Sequence, residues 1–309
     1  MSILFHCTFP NQKNWLQSVK KKFKQHKVYT INDKINFQTI EYAIVWNLPD
    51  KILKQLTNLK IIFSLGAGVD HIINLPSYEM TPILRVKDPN MAERMSYHVH
   101  SQILIYQLKL NLFQKAQMKG KWLGEQETLL NNQIKVGILG TGFLGTNVGR
   151  YLKNLGYKVT GFKKSVPKTK IPFPVYTKNK IENFISSNDI IVSILPYTEE
   201  TKNFINRKFL EKMKKNSLLI NIGRGASLNE NHLLKYLKKN KNFYVSLDVF
   251  KNEPLPKSHK FWKHSNVTVT PHAAALTDID SSINLMHKRY LAYRKTGKIK
   301  SDVDLIKGY

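Results

Sequence analysis

Apolar residues fall along this chain with two different periods. Short unbroken runs rich in Ile, Val and Phe predict buried strands over 3–9, 42–46, 60–65 and 83–86. A continuous apolar run is what a strand covered on both faces requires. Apolar residues spaced three and four apart predict helices between these strands, as over 15–26 and 51–56. A longer apolar-periodic stretch from Ala92 to about residue 115 predicts a helix linking two halves of the molecule. The alternation resumes at Ile134, with strands over 134–139, 158–162, 189–195, 217–222, 244–249 and 267–270. Helical spacing lies between them over 143–155, 181–186, 207–213 and 229–239, and a last helix is expected over 279–294. Strand–helix alternation of this kind implies an α/β fold with parallel sheets covered on both faces. A length of 309 residues suits two domains better than one core.

Composition narrows the class. Hydrophobic residues at 42% and aromatics at 11% indicate a folded rather than a disordered chain. The opening MSILFHCTFPNQ has no basic segment before its apolar run, so no secretory signal is expected. No stretch approaches the ~20 apolar residues of a membrane span, and no membrane partner is expected. The single cysteine, Cys7, cannot form an internal disulfide and suits a reducing, cytoplasmic setting. The net charge of +28 would by itself suggest a polyanionic partner. However, only seven of the 49 basic residues are arginine, and the lysines are spread along the whole chain. Lysine, asparagine and isoleucine are abundant together, as an AT-biased genome would impose on replaceable surface positions. The densest run, KKKFK at 20–24, reads as a solvated helix face, and no zinc-finger or RNA-recognition spacing accompanies it. No specific nucleic-acid partner and no metal site are therefore expected, although the charge can draw in anionic substrates and a phosphate-rich cofactor.

The strongest local motif is IKVGILGTGFLG at 134–145, an apolar strand running into G-x-G-x-x-G and then an amphipathic helix. Gly140 permits the tight turn, Gly142 leaves room for a pyrophosphate, and Gly145 lets the helix pack against the strand. Thr141, Phe143 and Leu144 complete the turn, and the helix start offers unpaired N–H groups to phosphates. An NAD-binding protein usually places an acid at the end of the next strand to bond the ribose 2′-hydroxyl. This chain has GFKKS at 161–165 instead, where Lys163, Lys164 and Ser165 suit a 2′-phosphate. NADPH is the expected cofactor, with NADH as the weaker alternative; the competing reading is two more lysines on a lysine-rich surface.

Three later motifs fall at the C-terminal ends of expected strands, where open parallel sheets bind ligands. They are NIGRG at 221–225, LDVFKNEPLP at 247–256 and TPHAA at 270–274. Reduction of a 2-oxo acid needs a cation for the carboxylate and ketone, a proton donor, and a nicotinamide against the carbonyl. Arg224 suits the first role through its planar fork. His272 suits the second, and Glu253 could bond the histidine and hold it protonated when needed. Each residue also has a plain alternative: a turn-capping arginine, an exposed loop acid, and a half-buried histidine. Their order and their shared place at strand ends favour the catalytic set.

With these motifs in place, the chain resembles the D-isomer-specific 2-hydroxyacid dehydrogenases, more narrowly their glyoxylate/hydroxypyruvate reductase A group. Further segments carry the resemblance over nearly the whole length: AIVWNLP at 43–49, FSLGAGVDH at 63–71, RVKDPNMA at 85–92, LPYTEET at 195–201 and EPLPKSHKFW at 253–262. The resemblance implies two Rossmann-like doubly wound parallel-sheet domains. The substrate domain would be discontinuous, residues 1–97 completed by 275–309, with an NADP-binding domain over 98–274. The active site would lie in the cleft between the domains, and the long helix after Ala92 would form a homodimer interface. The resemblance also implies that the backbone amides of Gly66, Ala67, Gly68 and Val69 receive the substrate carboxylate, and that Trp46 walls the pocket, with Arg85 as a further lining residue. Leu195 and Pro196 would border the adenine, and Asp248 would orient the nicotinamide amide. Two positions depart from the family pattern. Asn229 replaces an acid and reads as a helix N-cap, and the segment around Tyr97 lacks a usual glutamate. The implied reaction is NADPH-dependent reduction of glyoxylate to glycolate and of hydroxypyruvate to D-glycerate, with His272 as proton donor. The alternatives are a larger 2-oxo acid substrate and a cofactor-binding regulator without turnover.

Overall fold

Every expected apolar run becomes a strand in one of two wholly parallel sheets. The computed structural model describes residues 2–167 and 169–304. The chain divides into two units, Met1–Met91 with Thr277–Tyr309, and Ala92–Leu276. These breaks differ from those read off the sequence, 97/98 and 274/275. The helix Pro89–Gln107 explains the first difference. Its Met95, Val99 and Ile103 are buried in one core with Val136, Ile138 and Ile190, so a break at 97 would divide a single packed face.

Unit 1 contains β1 (Ser2–His6), β2 (Lys27–Thr30), β3 (Tyr42–Val45), β4 (Ile61–Ser64) and β5 (Ile83–Arg85), in the order β2-β1-β3-β4-β5. The short β2, KVYT, has no continuous apolar run, and the sequence reading missed it. In this doubly wound order the chain reverses between β1 and β3, so the loops leaving the C-terminal ends of β3 and β4 are where a ligand is expected. Trp46 follows β3, and Gly66 to Val69 follow β4. Cys7, just beyond β1, is buried, and burial pushes its thiol up to about 11.

The chain returns to unit 1 through the helix Ile279–Thr296, whose N-cap Asp278 accepts from Ser281 N–H. The segment after it latches onto the edge strand β5. Asp302 N–H donates to the Ile83 carbonyl at 2.9 Å, and the Asp302 carboxylate accepts from Arg85 N–H at 3.2 Å and from Lys87 at 2.7 Å. Arg289 also pairs with Asp302. Burial raises this carboxyl, but the bonds from Arg289 and Lys87 outweigh it and hold it below the usual carboxylate value. A depressed folded-state pKa stabilises the fold above the unfolded pKa, and the benefit is lost as pH falls through the folded one. Asp302→Asn should therefore destabilise unit 1 by about 2 kcal/mol at neutral pH. The difference from wild type in thermal or urea unfolding should shrink towards zero under acid; a difference independent of pH would contradict the charge argument.

Unit 2 contains β6 (Lys135–Leu139), β7 (Lys158–Phe162), β8 (Val175–Tyr176), β9 (Ile190–Ser193), β10 (Leu218–Asn221), β11 (Tyr244–Leu247) and β12 (Val267–Val269). Their order, β12-β11-β10-β9-β6-β7-β8, reverses direction between β6 and β9. That is the dinucleotide-binding arrangement, with its crevice at the C-terminal end of β6. The two-residue β8 was too short to read from sequence. Helices cover both faces, and the two apolar layers contain Leu139, Phe184 and Leu219 on one side and Val136, Ile138 and Ile220 on the other. Asn229 caps the helix Glu230–Lys239 by accepting from His232 N–H at 2.9 Å, so the departure from the family's acid costs the helix no cap. The expected single helix over 92–115 is instead two, Pro89–Gln107 and Leu110–Gln117, separated by Lys109 in the left-handed region at φ 57°.

Candidate active site

The glycine turn behaves as its spacing requires. Gly140 has φ 104°, and a Cβ there would lie 2.8 Å from the Ile194 carbonyl oxygen. At Gly145 a Cβ would come within 2.0 Å of the Gly140 carbonyl oxygen, so only glycine lets the helix Phe143–Asn154 start this close to β6. Gly142 is the N-cap of that helix, has no side chain to occupy its N–H groups, and has open space where a Cβ would stand. Thr141 is buried, and its hydroxyl is left without a partner. Free helix N–H groups, an open approach at Gly142 and an unsatisfied hydroxyl together fit the pyrophosphate of a dinucleotide. Phe143 and Leu144 form the first turn of the helix, part-exposed and half-buried respectively.

Beyond β7, Lys163 is half-buried, and Lys164 and Ser165 are exposed. Lys164 pairs with Glu200, both side chains reaching well into solvent. An exposed ion pair of this kind is weak and readily exchanged for a phosphate. Leu195 and Pro196 leave β9 under close restraint. A Cβ at Gly223 would lie 2.6 Å from the Leu195 carbonyl oxygen, and Thr201 Oγ1 donates to the Pro196 carbonyl at 2.7 Å.

Arg224, Glu253 and His272 all belong to unit 2. Arg224 follows β10, and its Nη1 donates to the Gly223 carbonyl at 3.1 Å. The next residue, Gly225, lies so close to Phe250 that a Cβ would stand 1.9 Å from the Phe250 carbonyl carbon, which ties the arginine loop to the glutamate loop. Glu253 uses one oxygen to accept from Phe250 N–H at 2.8 Å and the other to meet His272 Nδ1 at 2.8 Å. Burial raises the Glu253 carboxyl, but the bonds from His272 and Phe250 and the charges of His272 and Arg224 outweigh it and hold it below the ordinary value. An ionised Glu253 accepts the Nδ1 proton, which leaves Nε2 of the half-exposed ring as the working atom.

His272 itself sits at φ 54°, a conformation that costs a non-glycine residue about 1–3 kcal/mol and persists only where neighbours enforce it. Asp248 enforces it. Its carbonyl accepts from His272 N–H at 2.8 Å, and its carboxylate accepts from Thr270 Oγ1 at 2.6 Å, Ala273 N–H at 2.8 Å and Ala274 N–H at 3.0 Å. At 1% exposure, this carboxylate is turned into the His272 loop. The bonds Asp248 makes within the chain are those of a clamp on the histidine loop, a role the sequence did not announce beside the nicotinamide role implied for it. Thr270 was given no role from sequence, although its hydroxyl opens the TPHAA motif.

In unit 1, Trp46 is half-buried, with its ring stacked on Phe9 at 5.2 Å between centroids. Gly66 passes beneath the indole, where a Cβ would lie 2.4 Å from it. Arg85 N–H is held by Asp302, and Asp88 is buried, accepting from Asn90 N–H at 3.0 Å and Ser281 Oγ at 2.8 Å. Tyr97, at the second departure from the family pattern, bonds Glu93 one turn away. Ser64 and His71, which surround the glycine turn after β4, were also missed from sequence.

A doubly wound sheet, a glycine turn capping a helix, and a histidine oriented by a glutamate that also feels the charge of an arginine define a dinucleotide-dependent oxidoreductase. Residues 101–274 match the family model for the D-isomer specific 2-hydroxyacid dehydrogenase NAD binding domain, and the chain belongs to this family. The glyoxylate/hydroxypyruvate reductase A of Serratia proteamaculans is 31% identical over 315 residues, spanning the whole of both chains. Among solved structures, the NADPH-dependent glyoxylate/hydroxypyruvate reductase of Sinorhizobium meliloti, in complex with NADP and sulfate, has a TM-score of 0.91 at 29% identity, covering 100% of this chain and 99% of that one. A D-isomer specific 2-hydroxyacid dehydrogenase of Xanthobacter autotrophicus, in complex with NADPH and MES, has a TM-score of 0.92 at 26% identity over 100% and 99% of the two chains.

Proposed function

We propose that the protein reduces glyoxylate and hydroxypyruvate with NADPH, giving glycolate and D-glycerate. The observation that carries this reading is the His272–Glu253 pair. A binding module has no use for an imidazole whose Nδ1 is anchored on an ionised carboxylate and whose Nε2 is left to work. When bound, the nicotinamide supplies the hydride that reduces the C2 carbonyl. Arg224 holds the substrate carboxylate and polarises the ketone, while His272 Nε2 delivers a proton to the carbonyl oxygen, leaving a hydroxyl. Glu253 stabilises the imidazolium before that transfer. In unit 1, the amides of the 66–69 turn receive the substrate carboxylate, and Trp46 limits the room beside it. In unit 2, Leu195 and Pro196 border the adenine.

The cofactor preference is read at Lys163, Lys164 and Ser165, and the NADP and NADPH bound in the Sinorhizobium and Xanthobacter structures support it. Loss of NADPH absorbance with glyoxylate and with hydroxypyruvate, with NADH run in parallel, tests the whole reading. Cofactor binding with no turnover of either acid would overturn it. Changing both Lys163→Ala and Lys164→Ala should weaken NADPH binding roughly 10–100-fold, the value of one to two charge-assisted contacts, and leave NADH within about twofold. Equal weakening of both cofactors would remove the 2′-phosphate assignment.

The protein is further read as a cytoplasmic homodimer. The segment after the helix Pro89–Gln107 exposes Leu110, Phe113, Met118 and Leu130, with Trp122 at 98% exposure, a concentration of apolar surface that a monomer rarely leaves in water. Among the described residues no helix is long and apolar enough to cross a membrane.

A further inference from the structure

This inference rests on the reading of the 66–69 turn as the carboxylate site. We propose that His71 is a positioning residue for that turn: as the neutral Nε2–H tautomer it fixes Trp46 and, through Ser64, aims the Ala67 and Val69 amides at the substrate, and so sets the affinity for short 2-oxo acids.

The tautomer follows from the donors around the ring. Asn47 N–H donates to His71 Nδ1 at 3.1 Å, so Nδ1 carries a lone pair. The proton is then on Nε2, which donates to Ser64 Oγ at 3.2 Å. Ser64 is wholly buried, and its hydroxyl lies 3.2 Å from the Gly66 carbonyl and 3.0 Å from the Gly68 carbonyl. With the His71 proton fixed on Nε2, the serine's own proton is left for these two carbonyls. Both therefore point inward at one hydroxyl. In a planar trans peptide the N–H of the next residue points opposite to the carbonyl. The amides of Ala67 and Val69 are thereby turned away from Ser64, which makes them the donors available to an anion.

The same ring supports the pocket wall. His71 lies against Trp46 with ring centroids 4.2 Å apart, so the indole is held between Phe9 and His71 above Gly66. Asn47, immediately after Trp46, has φ 55° and is held at several points. Besides donating to His71, its side chain donates to Thr8 Oγ1 at 3.1 Å, and its backbone bonds the His6 ring. One imidazole thus restrains both the indole and the glycine turn.

Three variants separate the two contacts. His71→Ala removes both. His71→Asn places an amide oxygen near the Nδ1 position and keeps the Asn47 contact; His71→Gln places an amide NH₂ near Nε2 and keeps the Ser64 contact. His71→Ala should raise KM for glyoxylate about tenfold while leaving kcat and the NADPH Kd within about twofold. His71→Gln should recover most of the KM, because the Ser64 arm sets the amides, and His71→Asn should recover less. Nitrogen-15 NMR of the histidine-labelled wild type should show a neutral ring protonated at Nε2 near pH 7.5; an Nδ1–H or charged ring would overturn the inference without any assay. Wild-type KM in His71→Ala, or parallel loss of kcat and NADPH binding, would also overturn it. Absence of wild-type turnover would remove the underlying reading and this inference with it, whereas wild-type turnover with unchanged KM in His71→Ala removes the inference alone.

Discussion

Arg224→Ala should lower kcat/KM for glyoxylate by roughly 10²–10³-fold, the usual effect of removing one preorganised charge from a developing oxyanion. The guanidinium is unusually well placed for a long side chain. Its Nη1 is tethered to the Gly223 carbonyl, and the loop that carries it is pinned by the close approach of Gly225 to Phe250. Little conformational entropy therefore remains to be lost when substrate arrives. Lysine should not rescue the variant, because a point charge lacks the two-pronged geometry that spans a carboxylate and a ketone oxygen. On the proposed assignment the dinucleotide is held by the glycine turn and the residues after β7, so the NADPH Kd should stay within about twofold. Loss of the Arg224 charge also removes one of the influences that keep the Glu253 carboxyl low, so activity should fall off at a higher pH on the acidic side. A variant with wild-type kcat/KM would show that the arginine is only a structural cap.

His272→Asn should reduce kcat by about 10²–10⁴-fold, the range for loss of a positioned general acid. Asparagine is the informative replacement because the position has φ 54°, which asparagine tolerates better than most side chains, so the loop need not refold. The Asp248 clamp acts through the backbone N–H groups of His272, Ala273 and Ala274 and through the Thr270 hydroxyl, all of which the variant retains. Single-turnover kinetics with NADPH should show normal cofactor binding followed by slow chemistry. A kcat within tenfold of wild type would assign the proton to another donor.

Much of this site was legible in the sequence because its parts are short and local. The glycine turn, NIGRG, the EP pair and TPHAA each lie at a strand end, and strand ends follow from apolar runs. The strands of the dinucleotide-binding unit were legible for the same reason, except the two-residue β8. The β2 strand carries too little apolar character to announce itself, and it exists because β1 offers an edge to pair with. The break at Lys109 has no glycine or proline to signal it. It is fixed by later contacts, with Lys115 reaching Asn266 at 3.0 Å and lying over the Tyr244 ring.

The sequence by itself determined the fold class, the glycine turn and the strand-end positions of Arg224, Glu253 and His272, because each depends on residue type at a fixed local spacing. Only the tertiary structure decided which groups Asp248 and His71 bond. Asp248 lies 24 residues before His272 in the chain, and nothing in its own surroundings shows that its carboxylate faces the histidine loop. That follows from β11 and β12 being parallel neighbours, which brings the ends of the two strands side by side. His71 meets Asn47 because β3 and β4 are paired in the same way, so that the loops leaving both strands emerge at one edge. Hydrogen bonds between loops depend on strand order and register, which are long-range properties of the chain, and no local pattern encodes them.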